Sequence, residues 1–215
     1  GNIEVKKDIL ADKLVQEAGK LILSGSAAQT ARVKQIVKLE VESASVPTFS
    51  DPFILTGYMH NKGTLTIATL NWQPTSNNIS IKNEGVLNIT TANFAPQPSA
   101  NTIIIEGIDD ADKTKIANFA LEGVGGKELI IKKRITVLSN LKLSGTSKNA
   151  LLTIKGNAGD SQLHLSASIT GEGQYLEVHT NIPIVGKAYT AKQSKPNGTE
   201  SDITAGKPLN WIFDD

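Results

Sequence analysis

Two segments of nearly the same pattern recur 22 residues apart, and this repeat constrains the fold more than any other feature of the sequence. Residues 61–67 read Asn-Lys-Gly-Thr-Leu-Thr-Ile, and residues 83–89 read Asn-Glu-Gly-Val-Leu-Asn-Ile. In each, apolar side chains alternate with polar ones after the glycine, which is typical of a strand with one buried face. A period near 22 residues fits one coil of a β-solenoid, in which short strands are joined by tight turns.

Weaker copies of a glycine followed by alternating apolar residues occur at 19–23, 126–131 and 173–178. We expect the glycine to let the chain turn sharply without a Cβ clash. We expect the asparagine before it to accept the left-handed conformation that such corners use. Many further short runs alternate in the same way and are separated by Gly, Asn, Ser or Pro, so the chain is predicted to be all-β.

The pattern favours a right-handed, single-stranded parallel β-helix over residues 1–186, with loops that project from it. The alternative is an antiparallel β-sandwich, which requires tight Asn-Gly or Asp-Gly hairpin turns between paired runs. Asn197-Gly198 is the one such dipeptide, and it lies in a polar tail. This makes hairpins the less favoured interpretation.

Two kinds of segment interrupt the repeat. Prolines in residues 43–51 and 95–100 cannot donate to a strand ladder, so both stretches are predicted to project as loops. Residues 8–17 have apolar side chains at helical spacing and predict a turn or two of helix. The Asp-rich residues 109–117 predict either a short capped helix or an external loop.

The sequence changes character at its end, and residues 187–215 are predicted to be a polar segment and a C-terminal cap or linker. A solenoid must cover its open end or leave unpaired strand edges. Trp211 and Phe213 would lie on one face of a final strand and are large enough to plug a coil. The alternative is that the segment links this domain to further repeats.

Composition argues against several kinds of partner and site. Lys and Arg total 22 against 21 Asp and Glu, a net charge of +1, and only two of the basic residues are arginines. This does not favour a nucleic-acid partner. There is no cysteine, so a thiol nucleophile and a thiolate metal site are excluded. No run approaches the roughly 18 apolar residues that a membrane span needs, so no membrane insertion is expected.

Three polar residues could form a zinc site or an acid–base pair, but the spacing favours a solvated face. Glu177 and His179 are two apart and share one side of a strand, and His164 would point outward from a neighbouring coil. Asp109, Asp110 and Asp112 resemble a calcium loop without its glycine and later glutamate. We therefore predict no metal, no cofactor and no catalytic residue.

Aromatic side chains are the best candidates for a binding role, because exposed rings make platforms for sugars. Tyr58, Trp72, Tyr175 and Tyr189 are the candidates, and Trp72 follows a predicted strand near a loop. A lone tryptophan there is more often a packing residue. The candidate binding residues are therefore Tyr58, Trp72, Tyr175, Glu177, His179 and His164, with the packing role open for Trp72.

The Asn-x-Gly-x-Leu-x-Ile units at 61–67 and 83–89, with the runs at 141–145 and 151–157, resemble the β-helical regions of large bacterial surface proteins. These are filamentous-haemagglutinin-like adhesins and autotransporter passengers. The resemblance implies export to the bacterial cell surface as part of a longer chain. It also implies non-catalytic attachment to a protein or glycan of a host or neighbouring cell. The alternative is a carbohydrate-binding or polysaccharide-degrading β-helix module.

Overall fold

The computed structural model describes residues 1–10, 18–157, 160–179, 181–197 and 210–214. Over these residues the chain forms strands and no helix. The strands are β1 (Ile3–Val5), β2 (Ile9–Leu10), β3 (Leu21–Leu23), β4 (Ala28–Arg32), β5 (Gln35–Ile36), β6 (Leu39–Val41), β7 (Val46–Phe49), β8 (Phe53–Leu55), β9 (Met59–Asn61), β10 (Thr64–Trp72), β11 (Ile79–Asn83), β12 (Val86–Phe94), β13 (Thr102–Glu106), β14 (Thr114–Leu121), β15 (Glu128–Lys132), β16 (Arg134–Ser144), β17 (Leu152–Gly156), β18 (Gln162–Leu165), β19 (Gly173–Gln174), β20 (Leu176–His179), β21 (Ile184–Gly186), β22 (Tyr189–Lys192), β23 (Lys195–Asn197) and β24 (Trp211–Asp214).

The strands form two sheets that run along the whole molecule. The first sheet has ten strands in the order β1-β3-β6-β9-β11-β13-β15-β17-β20-β23. The second follows β2-β4-β7-β10-β12-β14-β16-β19-β22-β24, with β5, β8, β18 and β21 extending its coils. Every pairing between these strands is parallel, for example β10 with β12 and β13 with β15. The fold is a right-handed parallel β-helix as predicted, and the antiparallel sandwich is excluded.

The core is a set of stacked columns of inward-facing side chains. In the first sheet one column joins six apolar residues in register: Leu21, Leu39, Met59, Ile81, Ile105 and Ile131. All six are at most 1% exposed. In the second sheet Trp72, Phe94 and Phe119 stack edge to face, with ring centroids 5.2 and 4.8 Å apart. Each coil therefore buries its apolar face against its neighbours rather than alone.

The 22-residue period holds where the sequence repeat is clearest and changes elsewhere. Thr64 pairs with Val86 and Leu65 with Leu87, a shift of 22. Towards the N-terminus Leu21 pairs with Leu39, a shift of 18, and further on Ile103 pairs with Leu129, a shift of 26. The coils differ in length mainly at their corners.

At the Asn-x-Gly corners the predicted left-handed conformation of the asparagines is wrong, whereas the predicted role of the glycines in avoiding a Cβ clash is confirmed. Neither Gly63 nor Gly85 has a positive φ, and nor do the asparagines before them. Both glycines are needed because coils approach closely there: a Cβ on Gly85 would lie 2.0 Å from the carbonyl oxygen of Gly63. Asn61 and Asn83 instead point inward, and Asn61 Nδ2 donates to Asn83 Oδ1 at 2.7 Å. The motif encodes a buried amide ladder and close packing of backbones.

Of the two proline stretches, only the later one contains no strand, although Ala95 and Gln97 still donate backbone hydrogen bonds to the preceding coil. Residues 95–101, with Pro96 and Pro98, connect β12 to β13 as predicted. The prediction for residues 43–51 is wrong because strand β7 runs through it, with Pro47 in register opposite Gln29. Proline is tolerated near the start of a strand, where a missing N–H interrupts least.

The two segments with helical signals form no described helix. Ile9 and Leu10 are strand β2, and residues 11–17 lie outside the described residues. Residues 107–113 form an irregular connection to β14, so the loop alternative holds for residues 109–113, while residues 114–117 belong to strand β14.

The described part of the tail continues both sheets. Strand β22 pairs with β24, and β20 pairs with β23. Trp211 is 4% exposed, lies edge to face on Tyr189 with ring centroids 5.6 Å apart, and donates from Nε1 to the carbonyl of Ile182 at 2.9 Å. The Trp211 side chain therefore packs into the core beside β22, while residues 198–209 lie outside the described residues.

Candidate binding surfaces

The outer face of the first sheet carries charges that neutralise one another. A column of five side chains runs in register along it: Glu40, His60, Lys82, Glu106 and Lys132. Ion pairs join neighbouring coils, including Lys20 with Glu40 at 2.6 Å and Lys155 with Glu128 at 2.7 Å. Opposite charges placed across neighbouring strands favour the native register.

Glu84 is the most strongly perturbed acid on this side. Its carboxylate lies 2.5 Å from Lys82 Nζ and 2.8 Å from His60 Nε2. Hydrogen bonds from Lys82 and then from His60 lower the pKa of Glu84 to about 2. The side chain is 42% exposed, so the pairing contributes little to the free energy of unfolding.

The second sheet presents a different surface, which we call the threonine face. One column contains Thr30, Thr48, Thr66 and Asn88 in register, and a second contains Thr69, Thr91, Asn118 and Asn140. Thr30 and Thr48 are exposed, and the others are partly exposed. These uncharged side chains cover four coils before Lys115 continues the first column.

A cleft lies at the corner where the second sheet passes into the first, and we call it the corner cleft. The corner has two residues between β5 and β6, three between β8 and β9, and six between β10 and β11. The longer corner therefore overhangs the shorter ones. The space beneath it has a volume of about 320 Å³ and is lined by Lys38, Tyr58, Thr75, Ser76, Asn78 and Ser80 among others.

Tyr58 is held in place at the corner cleft. Its hydroxyl donates to Glu40 Oε1 at 2.7 Å, and the same carboxylate oxygen pairs with Lys20. Burial and the Glu40 hydrogen bond raise the pKa of Tyr58, so the hydroxyl stays protonated. Lys38 Nζ lies 5.8 Å from the centroid of the ring, within cation–π range.

Trp72, the aromatic residue that the sequence singled out, lies behind this cleft rather than in it. Its ring is 0% exposed, and Nε1 donates to the carbonyl of Gly57 at 2.7 Å. Trp72 therefore packs and supports the corner that carries Tyr58, and it presents no face to a ligand. Tyr189 is also buried, at 2% exposed, with its hydroxyl donating to the carbonyl of Leu141 at 3.0 Å.

His164, Glu177 and His179, for which the sequence favours a solvated face over a zinc or acid–base site, do not come together. Glu177 and His179 lie on β20 of the first sheet, but His164 lies on β18 of the second sheet. The prediction placed His164 one coil away on the same face, and the corner between the sheets separates them. His164 Nε2 contacts Gln162 Oε1 at 2.9 Å, and burial together with the charge of Arg134 lowers the pKa of His164.

Tyr175 lies at the corner before β20 and is partly exposed, with φ of 54°. Its main-chain carbonyl accepts from Leu152 N at 3.0 Å, so the residue joins two coils. Glu177 lies 3.6 Å from Lys195 across neighbouring strands. These two positions belong to the inter-coil contacts of the first sheet.

Two features of the surface were missed by the sequence analysis. The threonine columns follow from strand register, and a register shift that varies between 18 and 27 residues hides them in a linear sequence. The part that Lys38 plays in the corner cleft depends on the difference in corner length between successive coils. The sequence does contain a signal for this difference in corner length, because successive alternating runs are more closely spaced before residue 60.

Comparison with protein-family models, with curated proteins and with solved structures gives no match. Within the described residues there is no group of three or more His, Asp or Glu that could hold a metal ion. A search of the same residues for a helix of membrane-spanning length and apolarity finds none. The function is therefore argued from the geometry of the two faces and the cleft.

Proposed function

We propose that the chain is a non-catalytic, surface-displayed segment of a bacterial adhesin-like protein. In this proposal it acts outside the cell and attaches to a protein or glycan of a host or neighbouring cell. The observation that carries the proposal is the threonine face, a continuous strip of outward hydroxyl and amide groups on the second sheet. The resemblance of the Asn-x-Gly units to adhesin repeats supports the same conclusion.

The chemistry of the threonine face suits a broad contact with a partner. Stable protein interfaces bury about 800 Å² on each partner, and a strip across several coils supplies a long contact area. Hydroxyl and amide groups both donate and accept hydrogen bonds. They are also cheaper to remove from water than charges, whose desolvation costs several kcal/mol each. The first sheet is less suited because its charges are already paired between coils.

The architecture supports display. In a solenoid each coil contacts only its neighbours, so outward side chains can change without loss of the core. A column of similar side chains also repeats the same weak contact at every coil, and repeated weak contacts give avidity.

The test is a binding assay with charges placed on the threonine face. Beads coated with the protein are scored for attachment to epithelial cells and to bacterial cells, beside a glycan array. The double variant Thr48→Lys, Thr66→Lys should lose most attachment. The matched control Thr102→Lys, Thr153→Lys puts the same two substitutions on the outer face of the first sheet and should keep attachment.

Three outcomes overturn the proposal. Attachment to neither cell type nor any glycan removes the attachment function. Equal loss from both variants removes the assignment to the threonine face. Cleavage of a polysaccharide in a parallel reducing-end assay would replace it with the degrading β-helix alternative.

A further inference from the structure

The corner cleft has the make-up of a small-ligand site. Its volume of about 320 Å³ lies at the lower end of the range for such sites, roughly 300–1,000 Å³. Its walls combine the ring of Tyr58 with hydroxyl and amide groups from Thr75, Ser76, Asn78 and Ser80. An aromatic surface ringed by hydrogen-bonding groups matches a sugar, which has an apolar ring face and a rim of hydroxyls.

The aromatic surface is fixed before any ligand arrives. Tyr58 is anchored at its hydroxyl by Glu40, and Glu40 is anchored by Lys20. The corner behind it is held by Trp72 through the carbonyl of Gly57. A ring that is already ordered costs less entropy when it binds.

The residues that line the cleft carry one positive charge, and the nearby carboxylate of Glu40 is paired with Lys20. None of the residues that line it is acidic, and Lys38 is the one basic residue among them. Lys38 forms no ion pair with another described residue, in contrast to Lys20, Lys82 and Lys155, which each contact a glutamate. An ammonium group beside an aromatic ring and several hydroxyls selects a carboxylate next to a sugar ring.

We propose that the corner cleft binds a carboxylated saccharide, with the sugar ring against Tyr58 and the carboxylate at Lys38. The hydroxyl and amide groups of the overhanging corner, from Thr75 to Ser80, accept and donate to the sugar hydroxyls. The proposal extends the attachment function to a defined ligand class at a second site, and it can fail while the threonine face stands.

The test is a titration of the full chain with paired acidic and neutral sugars, followed by amide chemical shifts in NMR. Galacturonic acid trimer is compared with galactose trimer, and 3′-sialyllactose with lactose, so that uronic and sialic acids are distinguished. At least one acidic sugar should shift the amides of residues 56–58 and 75–80 at millimolar concentration. Raising the salt concentration to about 0.5 M should weaken binding of the acidic sugar, because salt screens exposed charges.

Matched variants assign the two contacts. Lys38→Gln should lower the affinity for the acidic sugar about fivefold and leave the affinity for the neutral sugar unchanged. Lys34→Gln, an exposed lysine outside the cleft, is the control and should change neither. Tyr58→Ala should weaken binding by at least about fivefold, while Tyr58→Phe, which keeps the ring but loses the bond to Glu40, should fall between Tyr58→Ala and wild type.

Equal affinities for the acidic and neutral sugars, or an affinity for the acidic sugar that is unchanged in Lys38→Gln, overturn the carboxylate assignment. Shifts that avoid the cleft amides for every sugar overturn the site. If Tyr58→Ala fails to fold, Lys38→Gln and the salt dependence still decide the outcome. Bead attachment that persists in Lys38→Gln and is lost in the Thr48, Thr66 double variant would show that the threonine face acts without the cleft.

Discussion

Substitution of Asn83 by alanine should lower the free energy of unfolding more than any other loss of a single amide from a coil. The side chain is 1% exposed. Its Nδ2 donates to Gly85 O at 3.1 Å, Lys113 O at 3.0 Å and Thr114 Oγ1 at 2.8 Å. Its Oδ1 accepts from Asn61 Nδ2 at 2.7 Å and from Gly85 N at 3.2 Å.

The magnitude follows from these contacts. An amide has two N–H bonds and two lone pairs, so four of the five contacts count at full strength. Each buried hydrogen bond contributes about 1 kcal/mol net, and a donor or acceptor left without a partner costs about 1–3 kcal/mol. Asn83→Ala should therefore lower the free energy of unfolding by about 4 kcal/mol.

The assay is urea unfolding followed by far-UV circular dichroism, with the slope m compared between variants. Asn93→Ala is the control: Asn93 is exposed on the neighbouring strand β12 and donates one hydrogen bond to Asn71. It should change the free energy of unfolding by less than about 0.5 kcal/mol. Asn83→Ser keeps one hydroxyl and should fall between the two. A loss for Asn83→Ala no larger than that for Asn93→Ala would refute the role of the buried amide.

Three further changes test the packing and the charges. Gly85→Ala should lower the free energy of unfolding by about 3 kcal/mol, because the new Cβ would lie 2.0 Å from a carbonyl oxygen. The control Gly123→Ala should lower it by about 1 kcal/mol, because its Cβ meets nothing within 4 Å but its φ is +67°. Urea unfolding midpoints compare the two variants. Trp72→Ala should cost about 3–5 kcal/mol in the same assay, since it empties a fully buried site. The lowered pKa of Glu84 stabilises the fold above pH 4.5, and this stabilisation is lost as the pH falls towards about 2. Glu84→Gln should therefore flatten the pH dependence of the free energy of unfolding in this range. The change should be less than about 1 kcal/mol because the side chain is exposed.

The all-β class and the parallel stacking could be predicted because the residues that face the core can be recognised from the sequence of each strand alone. Alternating residues such as Leu65 and Ile67 mark an inward face without any knowledge of the partner strand. The variation from 18 to 30 residues per coil could not be predicted in the same way, since a corner can lengthen without changing the alternation in the strands. For the same reason Pro47 gave a misleading signal: a proline stops a ladder only where its N–H is needed.

The binding surfaces were predicted less well because they depend on register. Tyr58 was a candidate as an isolated aromatic, but its cleft is made by the corner of the next coil. Trp72 was the stronger candidate by sequence, yet the same corner buries it. His164 and His179 looked close because their strands alternate in the same sense, and the turn between sheets sets them on different faces.

The outer faces of the two sheets differ in their contacts between coils, and this difference explains how the solenoid can be both stable and open to a partner. Both sheets are joined coil to coil through their backbones, but ion pairs between coils, such as Lys20 with Glu40, lie mainly on the first sheet, and the buried ladder at Asn61 and Asn83 belongs to the same sheet. The hydroxyls of Thr48 and Thr66 form no hydrogen bond with other described residues, so the native register does not depend on them. A partner that bonds to this face competes with water and not with the fold. Substitutions there are therefore expected to alter binding before they alter the free energy of unfolding, and the lysine variants can separate attachment from stability.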